Sequence, residues 1–241
     1  MESSDVWREP SPYKSGRTRA LVATCALVLF VATEGLFASL QLLERFVFPD
    51  WETQIDEGSI GDLVFAITTT WSALAYLAAA LLSAVSFLSW LYRTADNARF
   101  VGRRRPRTTP TMAVICWFIP ILNLFRPYRE MKTLYWASEP PAPDLAGDWI
   151  RRAPGLLPLW WATWLITSVV GNASLRLSLS HRPGDEALSM WLDVAAFPFT
   201  FIAGLCAIAV LWSIQLRQEA LAERDGATDD DHDDHDDRPV A

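Results

Sequence analysis

Apolar residues in this chain are gathered into long blocks separated by polar stretches. Four blocks are 20 to 30 residues long, and together they hold only two charged residues, Glu34 and Asp193. The blocks are residues 20–43, 63–92, 156–175 and 187–216. Each is long enough to cross the hydrocarbon layer as a helix, which takes about 20 apolar residues. Because none shows the strict alternation of membrane barrel strands, the pattern predicts an all-α polytopic membrane bundle with four transmembrane helices.

A fifth apolar run, around Pro120, differs from these four in length. It is roughly 14 residues long and the proline interrupts it, whereas a spanning helix needs about 20 residues. We expect this run to enter the membrane and leave on the same side, as a short re-entrant or interfacial helical segment. Beyond it, one face at helical spacing is formed by Leu124, Tyr128, Met131 and Tyr135, which predicts an amphipathic helix at the interface.

The distribution of Lys and Arg predicts the orientation. If the Pro120 run does not cross, only three of the 21 Lys and Arg residues lie outside, namely Arg45, Arg176 and Arg182. If it does cross, the split becomes 12 against 9 and the C-terminus lies outside. Because basic residues concentrate on the cytoplasmic side of membrane proteins, the count favours four spans with both termini in the cytoplasm.

Composition separates two polar ends from the apolar middle. The net charge of −7 comes from the C-terminal end, where residues 229–237 read DDDHDDHDD. We therefore predict a disordered N-terminal tail over residues 1–18, a membrane domain over 19–217 and an acidic disordered tail over 218–241. The three cysteines all lie in apolar runs, which indicates neither disulfides nor a metal-binding pair. We expect no metal and no cofactor.

One stretch carries an unusual combination of residues at fixed spacing. FLSWLYRTADNARFVG is followed about ten residues later by WFIPILNLFRPYREMKTLYWAS. This pattern resembles the DUF4328 family, uncharacterised bacterial membrane proteins found mainly in actinobacteria, and the resemblance extends over about residues 60–216. It implies a multi-pass protein of the bacterial plasma membrane and gives no reaction. The motif positions singled out as a candidate interface are Trp90, Arg93, Asn97, Pro120, Asn123, Arg126, Pro127 and Trp136.

Two interpretations of these polar motif residues stay open. Arg93, Asn97, Asn123 and Arg126 can satisfy backbone groups that Pro120 leaves without helical partners, as non-helical chain at membrane depth requires. Alternatively, the guanidinium groups bind an anionic lipid head group, for which a bidentate geometry is well suited. The first role is the simpler one.

A second candidate site lies within the apolar blocks. Glu34 and Asp193 are placed at similar depth in the outer halves of their helices, and Arg176 lies near the outer end of another. A carboxylate there costs about 2 to 3 kcal/mol on insertion scales, so it should face protein or water. The three residues can form a polar cluster that binds an ion or a proton, or a structural salt bridge, or never meet.

Signatures of familiar enzymes are missing from the chain. It contains no H-E-x-x-H, G-x-S-x-G or G-x-x-x-x-G-K-[ST] pattern. We therefore expect a non-enzymatic bundle that interacts with membrane lipids, with other membrane proteins or a second copy of itself as further partners and no nucleic acid. The alternative is a small transporter or channel component that uses the intramembrane carboxylates.

Overall fold

A computed structural model describes residues 13–47, 60–101, 108–139, 153–180, 182 and 184–233. Helices account for nearly all of these residues, and the described chain contains no strand. The helices are α1 (Arg17–Val47), α2 (Ile60–Phe100), α3 (Pro110–Ile115), α4 (Pro120–Asn123), α5 (Arg126–Ala137), α6 (Ala153–Ser178) and α7 (Asp185–Asp233). The predicted all-α class is confirmed.

Three of these helices are long and apolar enough to cross a membrane. They contain the candidate spans Arg17–Val47, Leu63–Phe100 and Asp185–Arg224. The remaining long helix, α6, has 26 residues, or about 39 Å at 1.5 Å per residue, so its length suffices. It carries Trp160, Trp161 and Trp164 together with several polar residues, and it is not among the three candidate spans. The chain is thus a helical membrane protein, and its predicted fourth span is not confirmed.

The chain divides into two compact units. The motif unit consists of the described parts of Met1–Leu21, Phe87–Leu157 and Ala209–Ala241. The span unit consists of the described parts of Val22–Ser86 and Pro158–Ile208. Helices α1, α2 and α7 each contribute residues to both.

The span unit has apolar side chains outside and small or polar ones inside. Large side chains such as Leu29, Leu74, Leu81 and Val169 are exposed. Its buried residues are mostly small: Ala26, Ala38, Ala79, Ala196, Ala203, Ala207, Ser72, Ser83, Ser174 and Ser189. Water-soluble proteins show the opposite arrangement, whereas membrane helices approach one another through small residues. This arrangement fits a lipid environment around the unit.

Helices α1 and α7 approach closely within the span unit. A Cβ atom added at Gly204 would lie 2.8 Å from Cγ2 of Val31, and one added at Gly35 would lie 2.9 Å from the Phe197 ring. Because real Cβ atoms essentially never come so close, only glycine fits at these positions without movement of a neighbour. The two helices are antiparallel here, since residue numbers rise along α1 as they fall along α7.

The Pro120 run forms two short helices joined by turns. Pro110 opens α3, where the Thr109 hydroxyl accepts a hydrogen bond from the Met112 amide at 3.3 Å. Pro120 opens α4, a position where its missing N–H costs nothing. The proline therefore starts a helix in a turn-rich segment, and the predicted re-entrant path stays a prediction. Helix α5 follows directly and buries Met131 and Tyr135 on one face, as their spacing predicts, whereas Leu124 precedes the helix and is exposed.

The ends of the described chain differ from the predicted tails. Residues 13–16 precede α1, which begins at Arg17, whereas the N-terminal tail is predicted to reach 18. At the other end, α7 continues to Asp233, past the predicted tail boundary at 217, and Gln218 and Leu221 are buried. Burial of these side chains stabilises the helix beyond residue 217. Residues 1–12 and 234–241 lie outside the described chain.

Candidate functional site

Trp90 is at the centre of the motif unit. Its side chain has no exposed surface, and its indole N–H donates to Oε1 of Gln215 at 3.2 Å. Gln215 in turn donates to Oε1 of Glu219 at 3.0 Å. Gly16 packs against the same glutamine, because a Cβ there would lie 2.7 Å from Oε1 of Gln215. The motif tryptophan thus fixes a polar side chain of α7 against the start of α1.

Asn97 holds the segment that precedes α1. Its Nδ2 donates to the Lys14 carbonyl at 2.9 Å, and the Lys14 amide donates back to Oδ1 at 3.4 Å. Asn97 is 2% exposed. A side-chain amide that pairs with both backbone groups of one residue acts as a main-chain partner. Asn97 therefore satisfies backbone polar groups, but those of Lys14 and not those next to Pro120.

Two further side chains of α7 connect it to α2 and α5. Gln218 donates through Nε2 to the Thr94 carbonyl at 3.0 Å and to the Ser138 hydroxyl at 3.2 Å. The Arg217 guanidinium donates to the Tyr135 hydroxyl and lies over its ring, 3.9 Å from the centroid. Burial raises the pKa of Tyr135. The buried polar network of this unit is therefore centred on residues 215–219.

A charged group lies at the start of α5. Arg126 Nε is 3.3 Å from Oε1 of Glu130, and the Thr108 hydroxyl donates to Oε2 of Glu130 at 2.5 Å. Burial, with the nearby negative charge of Glu130, raises the pKa of Cys116 to about 11, so this thiol stays protonated at neutral pH. Arg129, one turn along, is exposed.

A groove with a cavity volume of about 880 Å³ runs along α5 and is called the α5 groove below. It is lined in part by Thr108, Arg126, Arg129 and Glu130. Its apolar wall is formed by Ile121, Leu122, Phe125 and Trp136. Its charged residues are Arg126, Arg129 and Glu130. A surface that combines apolar and cationic groups in this way suits an anionic amphiphile.

Beside the groove, the turn around α4 exposes large apolar side chains. Phe118 is 71% exposed, Ile121 77% and Phe125 66%. Pro120 itself is exposed, and Asn123 is half-buried, with an Oδ1 atom that has no hydrogen-bond partner among the described residues. Exposed apolar patches of this kind on a membrane protein are typical of contact with lipid.

The three remaining motif residues are Arg93, Pro127 and Trp136. Arg93 pairs with Asp96 at 3.5 Å on the same helix. Pro127 is buried in the first turn of α5. Trp136 is 41% exposed and packs edge-on against the Tyr135 ring. Arg93 is therefore placed apart from the α5 groove, whereas Trp136 forms part of it.

The intramembrane candidates lie in the span unit. Glu34 is 9% exposed, and the Thr200 hydroxyl hydrogen-bonds to its carboxylate. Asp193 accepts a hydrogen bond from Nε2 of Gln41 at 3.3 Å. Arg176, by contrast, is exposed and forms no salt bridge within the described ranges. Glu34 and Asp193 thus lie along the same pair of helices, α1 and α7, and Arg176 takes no part in their hydrogen bonds.

The family model described as "Domain of unknown function (DUF4328)" matches residues 61–219. The chain belongs to the DUF4328 family. No curated protein and no solved structure matches it.

The DUF4328 match covers most of the residues that form both polar groups described above. It includes the motif positions of α2 and α5, the Gln215–Glu219 network and Asp193, while Lys14, Gly16 and Glu34 precede it. Among the described residues, no group of three or more His, Cys, Asp or Glu side chains is placed to hold a metal ion.

Sequence reasoning missed the polar residues of α7 in this DUF4328 chain. Gln215, Arg217 and Gln218 come at the end of an apolar block, where polar residues are expected simply because the membrane ends. The one available signal is that Gln215, Gln218 and Glu219 share a helix face at spacings of three and four. The sequence likewise gives no signal for Glu130, which is 8% exposed and binds Arg126 and Thr108.

Proposed function

We propose that this chain is a non-enzymatic protein of the bacterial plasma membrane that binds anionic phospholipid head groups in the α5 groove. The observation that carries the proposal is the placement of Arg126 and Arg129 beside the apolar wall of this groove. A phospholipid offers a phosphate for the guanidinium groups and a glycerol and acyl region for the wall. Arg126 is oriented by Glu130, whereas the exposed Arg129 is available to the head group.

The apolar turn around α4 supports a membrane location for the groove. With Phe118, Ile121 and Phe125 inserted among lipids, the basic residues at the start of α5 would lie at head-group depth. In this proposal the Pro120 run is re-entrant, α6 is the fourth span and both termini are cytoplasmic. The Trp-rich start of α6 then belongs at the interface, where tryptophan is enriched.

Lipid binding is tested with Arg129→Gln and a matched control, Lys132→Gln. Both residues are exposed cations on α5, but only Arg129 lines the groove. One basic residue near the surface contributes about 1 kcal/mol, or about fivefold in affinity. We expect Arg129→Gln to bind fluorescent phosphatidylglycerol about fivefold more weakly than the wild type in phosphatidylcholine nanodiscs, and Lys132→Gln to be nearly unchanged.

Two results would contradict the groove as the lipid site. One is equal loss of binding in both variants, which would indicate a diffuse charge effect. The other is wild-type binding by Arg129→Gln. Competition by inorganic phosphate without competition by phosphatidylglycerol would mean that the groove binds a soluble anion.

Topology is tested by labelling single introduced cysteines with a membrane-impermeant maleimide in intact cells. The four-span proposal predicts labelling of Ser178→Cys from outside and protection of Lys132→Cys and Arg224→Cys. A crossing at the Pro120 run reverses all three results, because every later segment changes side. The wild type, with its own three cysteines, is the background control.

A further inference from the structure

Helices α1 and α7 carry two polar contacts, seven residues apart on each helix, inside the span unit. In the first contact, the Thr200 hydroxyl hydrogen-bonds to Glu34. In the second, Gln41 donates to Asp193. The two contacts are separated by about 10 Å along the helix axis. Gly35 and Phe197 pack tightly between these contacts. The carboxylates therefore lie in a closely packed helix pair, which restricts the access of water.

One oxygen of Glu34 is buried and has no protein donor. Its Oε2 atom has no hydrogen-bond partner among the described residues, and the residue is only 9% exposed, so water has little access to it. An ionised carboxylate in such a position is unfavourable, because each oxygen needs donors to replace the water it has lost. Protonation removes the charge and with it most of this cost.

Among the residues that the structure describes, no cation forms a salt bridge with Glu34. The titratable groups coupled to Glu34 are Asp193 on α7 and Tyr76 on α2, whose ring stacks with Phe30 and Phe37. The described salt bridges all lie in the motif unit, and none involves Glu34 or Asp193. A negative Asp193 favours the neutral form of Glu34.

We propose that Glu34 is an intramembrane proton-binding site. An O–H bond forms at the Glu34 carboxylate with a proton from a hydronium ion, which becomes a water molecule, and the side chain becomes a neutral carboxylic acid. Asp193, held by the Gln41 amide, is the second carboxylate of the same helix pair, and its negative charge tunes this uptake. The site provides the protonation step that proton-coupled transport requires, and it does not depend on lipid binding in the α5 groove.

The test is infrared spectroscopy of the full-length protein in lipid, with and without glutamate labelled by ¹³C at its side-chain carboxyl. At neutral pH the wild type should show a carboxylic-acid C=O band that shifts on labelling, which identifies a protonated glutamate. The band should disappear in Glu34→Gln and persist in Glu186→Gln, an exposed carboxylate in the first turn of α7. In Asp193→Asn, the band should be lost at a lower pH than in the wild type.

The labelling experiment on the wild type keeps the proposal testable even if a variant folds poorly. Absence of a labelled band at neutral pH, or its persistence in Glu34→Gln, would overturn the site. An unchanged titration in Asp193→Asn would remove Asp193 from it. Stability gives an independent check: if the folded protein holds a proton that the unfolded chain releases, raising the pH should lower the thermal stability of the wild type more than that of Glu34→Gln.

Discussion

Replacing Trp90 with alanine is expected to destabilise the protein by about 3 to 5 kcal/mol, the usual cost of removing a large buried aromatic side chain. The indole is completely buried, so its loss leaves a cavity. It also leaves Oε1 of Gln215 without its donor. The free energy of unfolding can be measured by denaturant titration in micelles, followed by circular dichroism.

The matched control for Trp90 lies on the same helix. Trp71 is 67% exposed in the span unit, so Trp71→Ala removes the same side chain from a lipid-facing position. We expect a change below about 1 kcal/mol. Trp90→Phe, which keeps most of the packing and removes the N–H, should cost about 1 to 3 kcal/mol. Equal stability of Trp90→Ala and Trp71→Ala would show that the motif tryptophan does not hold the unit together.

Gly204→Leu is expected to have the second large effect, a loss of about 1 to 3 kcal/mol or more through overpacking. The first side-chain atom would already lie 2.8 Å from Val31, whose branched side chain has little freedom to move. Helices α1 and α7 would have to separate. Thermal unfolding in detergent measures the loss.

Gly171→Leu controls for the intrinsic effect of replacing a helical glycine, because nothing lies within 4 Å of a Cβ at that position. Both substitutions improve helix propensity, so propensity cannot explain a difference between them. Adding Val31→Ala to Gly204→Leu should restore part of the lost stability, since it removes the atom in conflict. A double variant no more stable than Gly204→Leu would argue against this contact.

The helices could be predicted from the sequence, whereas the predicted fourth crossing stays a prediction. The blocks ending near Leu43 and Leu216 became helices because uninterrupted apolar residues leave no alternative in lipid. The block at 156–175 is not among the three candidate spans. It contains Trp160, Trp161 and Trp164, whose amphipathic rings fit a membrane interface as well as a membrane-spanning helix. Local pattern alone cannot separate these two environments.

The candidate site shows a different limit. Motif spacing identified Trp90 and Asn97, but their partners Gln215 and Lys14 lie 125 and 83 residues away along the chain. Helix periodicity predicts which residues share a face and carries no information on which distant face lies opposite. For the same reason, the sequence places Glu34, Asp193 and Arg176 at similar depths but cannot tell which of their side chains share contacts. Only the fold shows that Arg176 takes no part in the hydrogen bonds of the two carboxylates.

The pairing of Asn97 with Lys14 has a consequence for how these two positions vary in evolution. Both hydrogen bonds reach main-chain atoms of Lys14, so no chemical property of the lysine side chain is recognised. Position 14 should therefore accept many residue types, and proline alone is disfavoured because it lacks the N–H. Position 97, whose amide supplies both a donor and an acceptor, should tolerate almost no exchange.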